Sequence, residues 1–181
     1  MLLVINGAPG IGKSTLARRY VDGLPLALLV ELDQIRMQLG GWADRDESRI
    51  VARSLALELM RAHLSTGRDV VVPQFLGRPQ YLADMRNVAE TVGTAYVEVC
   101  LTCAPETLIE RFQTRRSRHV QLGLDHPESD LDDESVVAEL TRTNETLVRD
   151  ARLRHAIVVS IDGDLDTALA SLRHALGTVG K

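Results

Sequence analysis

An apolar run, Leu2-Leu3-Val4-Ile5, passes almost directly into Gly7-Ala8-Pro9-Gly10-Ile11-Gly12-Lys13-Ser14-Thr15. The second stretch fits G-x-x-x-x-G-K-[ST], the phosphate-loop or Walker A pattern, at every fixed position. Few folds accommodate a strand, a glycine-rich turn and a helix in that order. Gly7, Gly10 and Gly12 let the backbone take positive φ and come close to a triphosphate, so successive N–H groups converge on its oxygens. Lys13 is placed to reach the β- and γ-phosphates, and the Ser14 hydroxyl to hold Mg²⁺. The following helix points the positive end of its dipole at the same anion. A turn that merely joins strand to helix is the competing reading, and the order of all three elements counts against it. The expectation is nucleoside triphosphate binding along the whole loop, Gly7 to Thr15.

The rest of the chain alternates helix and strand periodicities. Lys13 to about Asp22 reads as a helix with Leu16 and Tyr20 on one face. Leu26 to Leu32 reads as a strand, and Glu47 to about Thr66 as a long helix with Val51, Leu55, Leu59 and Ala62 inward. A third strand spans Asp69 to Gln74, and Pro79 opens a helix carrying Leu82, Met85, Val88 and Val92. Thr94 to Leu101 is a fourth strand. A helix from Pro105 to about Arg116 offers Leu108, Ile109 and Phe112, and periodicity then lapses from Ser117 to Leu131. A helix near Asp132, a strand from Ala156 to Ile161 and a helix from Leu165 to Leu176 complete one domain, residues 1–181. This order implies an α/β fold with a parallel sheet and right-handed crossovers.

Several chemistry-bearing residues follow strands, on the edge where such sheets bind ligands. Asp33 is the candidate base for an attacking hydroxyl and a candidate Mg²⁺ support alongside Ser14; helix N-capping is its bland alternative. Arg36, one turn on, suits an acceptor group or the transferred phosphate, or a mere surface ion pair. Gln74, Phe75 and Arg78, with Trp42, lie where an acceptor belongs. Arg111, Arg115, Arg116 and Arg118 lead into the aperiodic stretch and read as cations of a lid, about residues 115–133, that closes over phosphates. Asn144 interrupts an apolar stripe and is expected to be buried and hydrogen-bonded.

Composition removes other classes. The net charge is −4, aromatics make up 3%, and Lys13 and Lys181 are the only lysines, which weighs against nucleic acid as the main partner. No stretch has the length of a membrane span. The N-terminus enters a strand without a basic leader, so the expectation is a soluble, cytoplasmic protein. Cys100 and Cys103 read as small apolar residues, since two cysteines alone do not complete a zinc site. Oligomeric state, monomer or homodimer, is left open.

Taken together, Gly7 to Thr15, Glu31-Leu32-Asp33-Gln34-Ile35-Arg36 and Glu110-Arg111-Phe112-Gln113-Thr114-Arg115-Arg116 resemble the small P-loop kinases. That group includes chloramphenicol phosphotransferase, the zeta-toxin kinases, polynucleotide-kinase domains and tunicamycin-resistance ATP-binding proteins. The resemblance implies a three-layer α/β/α P-loop NTPase fold with five parallel strands in the order 2-3-1-4-5. It implies ATP and Mg²⁺, Asp33 as base, Arg36 as an acceptor or phosphate contact, and Arg115 and Arg118 as lid cations. Arg111 would lie near the adenine, bordered by the Asp162-Gly163 turn. The chain departs from the family in having Val72-Pro73-Gln74 where many members end the third strand with an aspartate that supports Mg²⁺.

The leading expectation is a kinase (a transferase) acting on a small-molecule hydroxyl, an antibiotic or nucleoside among the candidates. A polynucleotide 5′-hydroxyl kinase and a non-catalytic ATP-binding protein that confers resistance by sequestration are the alternatives. ATP versus GTP, and the acceptor itself, are not fixed by the sequence.

Overall fold

The computed structural model describes residues 1–43, 45–75, 79–121 and 133–177. In chain order the elements are β1 (Leu2–Asn6), α1 (Lys13–Val21), β2 (Leu28–Leu29), α2 (Leu32–Met37), α3 (Glu47–Leu64) and β3 (Val70–Pro73). There follow α4 (Pro79–Val92), β4 (Tyr96–Thr102), α5 (Pro105–Gln121), α6 (Asp133–Leu153), β5 (Ile157–Ser160) and α7 (Leu165–Gly177). The strands form one five-stranded parallel sheet, β2-β3-β1-β4-β5, with helices on both sides. This is the strand order the resemblance implied.

The chain forms two compact units, Met1–Ile5 with Ala17–Glu98 and Asn6–Leu16 with Val99–Lys181. In the first, β1 and β3 pair from Leu2↔Val70 to Ile5↔Pro73, and β2 joins β3 at Leu28↔Val70 and Leu29↔Val71. All five residues of β1 and all four of β3 are buried, as continuous apolar runs in a parallel sheet require. Leu2, Val4, Val70 and Val72 pack with Ala56, Met60 and Leu64 of α3 and Leu82, Met85 and Val88 of α4. Tyr81 joins this core; burial pushes its phenol well above the usual range, and its hydroxyl donates to the Arg53 carbonyl at 3.2 Å. In the second unit, β4 and β5 pair from Val99↔Ile157 to Thr102↔Ser160. Its buried residues include Leu101, Leu108, Phe112, Leu140, Leu147, Val159 and Leu172.

Three expectations change. The strand read as Leu26 to Leu32 is two residues long: Leu26 sits at φ 56°, Glu31 is the N-cap of α2, and Leu32 already belongs to that helix. Val30 N still donates to Val71 O at 2.9 Å, so pairing outlasts the strand by one residue. Secondly, α3 is turned from its expected orientation. Ser48, Ala52, Ala56, Met60 and Leu64 face inward, while Val51, Leu55 and Leu59 are exposed. The helix has two apolar stripes, and the one containing alanines is the one that fits close against the sheet. Thirdly, α5 runs on past Arg116 to Gln121, so Arg118, expected in the aperiodic stretch from Ser117, is helical like Arg115 and Arg116. Most of the expected lid, residues 122–132, lies outside the described residues.

Candidate functional site

The glycine loop belongs to the second unit, between the end of β1 and the first turn of α1. Asn6, fully buried, accepts the Gly7 N–H on its Oδ1 at 2.8 Å and so fixes the loop's entry. Gly10 and Gly12 need glycine for different reasons. Gly10 has φ 81°, and a Cβ there would lie 3.1 to 3.2 Å from Phe112 of α5. Gly12 has φ 109° and nothing within 4 Å of where a Cβ would stand. One glycine admits a close neighbour; the other leaves open space at the mouth of the helix. Lys13 opens α1 and donates from Nζ to Ala8 O at 2.8 Å, which draws the cation back along the loop. Ser14 and Thr15 are exposed in the first turn, where unpaired N–H groups and the helix dipole favour an anion.

Arg111 of α5 ties this loop to the turn after β5. Its Nη1 donates to Ile11 O at 3.2 Å, and its Nη2 to Ile161 O at 2.8 Å and Gly163 O at 2.9 Å. Arg111 therefore joins Ile11 of the loop to Gly163 of the turn. Arg115, one turn on, is half-buried with its guanidinium 5.5 Å from the centre of the Phe112 ring, the same ring that packs on Gly10. Arg118 lies on α5, and its side chain is outside the described residues.

Asp162 holds the turn from the other direction. Its Oδ2 accepts the Ser160 hydroxyl, and its Oδ1 accepts the Ala104 N–H ahead of α5. These hydrogen bonds lower its pKa from the ordinary carboxylate value, the Ser160 hydroxyl most. Asp164 caps α7 by accepting the Thr167 N–H at 2.8 Å. Cys100 and Cys103 are buried and form no disulfide among the described residues, and burial pushes the Cys103 thiol up, away from a reactive thiolate.

Asp33, Arg36, Trp42, Gln74 and Phe75 belong to the first unit. Asp33 is exposed and is the second residue of α2; the N-cap is Glu31, so the capping alternative is not what this carboxylate does. Arg36 is no simple surface ion pair. Its Nε donates to Ser48 Oγ at 2.7 Å, its Nη2 to Trp42 O at 3.3 Å, and its guanidinium lies 4.9 Å from the Trp42 ring centre. Ser48 Oγ also approaches Trp42 O at 2.9 Å and Arg45 O at 2.6 Å. This buried serine was not singled out from the sequence; a lone small polar residue on the inner side of α3 was its only signal. Gln74 follows β3, with its N–H donating to Ile5 O at 3.0 Å, and Phe75 is exposed. Arg78 lies outside the described residues. Asn144 is buried as expected, but its Oδ1 has no hydrogen-bond partner among the described residues.

Mg²⁺ is a hard cation that takes oxygen ligands and retains substrate phosphates and water. The second unit offers the exposed Ser14 hydroxyl at the mouth of α1, an oxygen donor of that kind, and the first unit carries Asp33 as an exposed carboxylate. No cluster of three or more histidine, cysteine or acidic side chains is present among the described residues, so a dedicated protein cage is not what they form.

The sheet order, with a glycine loop leading from β1 into α1, defines a small P-loop kinase fold. Residues 2–152 match the family model described as an AAA domain, and the chain belongs to that family. It is similar to shikimate kinase from Bacteroides thetaiotaomicron (18% identity, 98% of each chain covered, TM-score 0.65). A gluconokinase from Sinorhizobium meliloti is also similar (19% identity, 98% of this chain and 91% of that one, TM-score 0.61). So is the tunicamycin resistance protein of Deinococcus radiodurans (17% identity, 99% and 95% covered, TM-score 0.57). At these identities the likeness is one of fold. No curated protein matches the chain by sequence. Among the described residues, no helix is long and apolar enough to cross a membrane.

Proposed function

We propose that this chain is an ATP-dependent kinase that transfers the γ-phosphate to a hydroxyl of a small molecule in the cytoplasm. The observation that carries the reading is the open cradle at Gly12, at the mouth of a helix whose first residue is Lys13. The loop N–H groups and Lys13 bind the triphosphate, and Ser14 with Asp33 would hold Mg²⁺. Mg²⁺ held there would supply charge neutralisation at the phosphates.

Asp33 takes the proton of the acceptor hydroxyl as the new O–P bond forms and the β–γ bridge bond breaks, leaving ADP. Its exposure and its release from capping support that role. Trp42, Gln74, Phe75 and Arg78 form the acceptor side, with Arg36 turned partly to holding Trp42. Arg115 and Arg118 supply cations to the moving phosphoryl group, and Arg111 fixes the floor of the adenine site. Antibiotics, nucleosides and sugars are the acceptor classes to screen; one solved neighbour is described as a tunicamycin resistance protein.

Sequestration of a ligand without phosphorylation is the second reading, favoured by Pro73-Gln74 where β3 ends without a carboxylate. The test is ADP release with a panel of hydroxyl-bearing compounds, with Lys13→Ala as control. An acceptor-dependent ADP signal that Lys13→Ala abolishes supports the kinase. Tight ligand binding with no ADP for any acceptor selects sequestration.

A further inference from the structure

We infer that Phe112 is a positioning residue for phosphoryl transfer: its ring seats the Arg115 guanidinium at a fixed place relative to the phosphate loop. That seat gives the site its preference for a triphosphate over a diphosphate. The inference rests on the reading of Arg115 as a cation for the moving phosphoryl group. Every residue it uses lies in the second unit, Asn6–Leu16 with Val99–Lys181.

Two consecutive residues of α5 hold two consecutive residues of the loop. A Cβ on Gly10 would stand 3.1 Å from Phe112 Cα and 3.2 Å from both its Cβ and its Cδ2, so helix backbone and ring edge together abut the loop. Arg111, the residue before, donates to Ile11 O at 3.2 Å. The helix is therefore fixed to the loop in register as well as in distance. Phe112 is 1% exposed, and in a close-packed interior such a ring has no room to swing away.

Arg115 follows three residues later, where a helix brings side chains together, and its guanidinium lies 5.5 Å from the ring centre. The ring quadrupole attracts the cation and offsets the entropy lost when a long side chain is held in one place. Arg115 is half-buried, so the attraction is screened less than on open surface. Gly10 sets the ring and the ring sets the cation. An aliphatic residue at 112 would fill the space against Gly10 but offer Arg115 no quadrupole.

Affinities for ADP and for the non-hydrolysable triphosphate AMP-PNP, both measured by calorimetry with Mg²⁺, test this. Wild type favours AMP-PNP, and Arg115→Ala abolishes that preference. Phenylalanines of increasing ring fluorination, introduced at position 112 alone, drain the quadrupole while nearly keeping the shape. They lower the preference stepwise, by about tenfold at the end of the series, while the thermal melt does not follow it. With Arg115→Ala in place, fluorination no longer moves the ratio, as expected for two groups acting through one contact. A preference that Arg115→Ala abolishes but fluorination leaves alone overturns the inference while the kinase reading stands. A wild type without a triphosphate preference, or with one indifferent to Arg115→Ala, overturns the inference together with the role assigned to Arg115.

Discussion

Arg111 and Ile11, 100 residues apart in sequence, are joined by a hydrogen bond of 3.2 Å from guanidinium to backbone carbonyl. The same guanidinium reaches the carbonyls of Ile161 and Gly163, so one side chain couples the phosphate loop, the end of β5 and the following turn. Removing it leaves three carbonyls without their charged donor. Arg111→Ala is expected to cost about 2 kcal/mol of stability and to weaken ATP binding about tenfold. Arg111→Lys recovers only part of either, because a single ammonium cannot reproduce the planar fork. Urea unfolding and ATP calorimetry on the same preparations check both effects.

The two loop glycines separate stability from binding. Gly10→Ala meets Phe112 at 3.1 Å and strains a φ of 81°, so it costs about 2 to 4 kcal/mol and loosens α5. Gly12→Ala strains φ but meets nothing within 4 Å, so its stability loss is smaller, about 1 to 2 kcal/mol. Its Cβ enters the cradle, so ATP affinity falls more than stability does. Comparing thermal melts with nucleotide titrations distinguishes the two.

Ser48 anchors Arg36 to Trp42, and Trp42 is the chain's sole tryptophan. Ser48→Ala leaves the Arg36 Nε–H without its acceptor, for a loss of about 1 to 2 kcal/mol. Intrinsic fluorescence then reports the Trp42 environment directly and shifts to longer wavelength. The acceptor KM rises while the ATP affinity is unchanged, and Ser48→Thr, which keeps the hydroxyl, restores most of the difference.

The parts legible in the sequence were those set by strong local chemistry. The glycine loop, β1, β3 and the end-to-end order of elements follow from motif and apolar runs, and the family resemblance implied the strand order. The orientation of α3 was not legible, because Val51-Leu55-Leu59 and Ala52-Ala56-Met60 are both apolar stripes with helical spacing. Only the sheet, which takes the flatter alanine side, decides between them. The brevity of β2 escaped for a similar reason: an unbroken apolar run gives no sign that Leu26 leaves the extended region. Ser48 and Asn6 were missed since a single buried polar residue carries no periodicity. The Arg111 contacts are long-range pairings with backbone carbonyls, which no side-chain pattern encodes.

Acid stability tests the Asp162 turn. Its folded pKa lies below the unfolded value, so its contribution is complete at neutral pH and is lost as pH falls below about 4, through the folded pKa. Ser160→Ala removes the largest cause of that depression. The variant's acid unfolding midpoint is expected at higher pH than wild type, and the two curves merge at pH low enough to protonate Asp162 in both states. A pH titration of circular dichroism checks this. Asp164, lowered by the Thr167 hydrogen bonds, is intact in both proteins and serves as the common background.

The central claim is that Asp33 accepts a proton during phosphoryl transfer from ATP bound at the Gly7–Thr15 loop. The most direct measurement is single-turnover transfer of labelled γ-phosphate to an acceptor found by the ADP screen, comparing wild type with Asp33→Asn at matched ATP saturation. The account predicts that Asp33→Asn still binds ATP but transfers phosphate at least about 100-fold more slowly, in keeping with the loss of a general base. Equal transfer rates in the two proteins would contradict it.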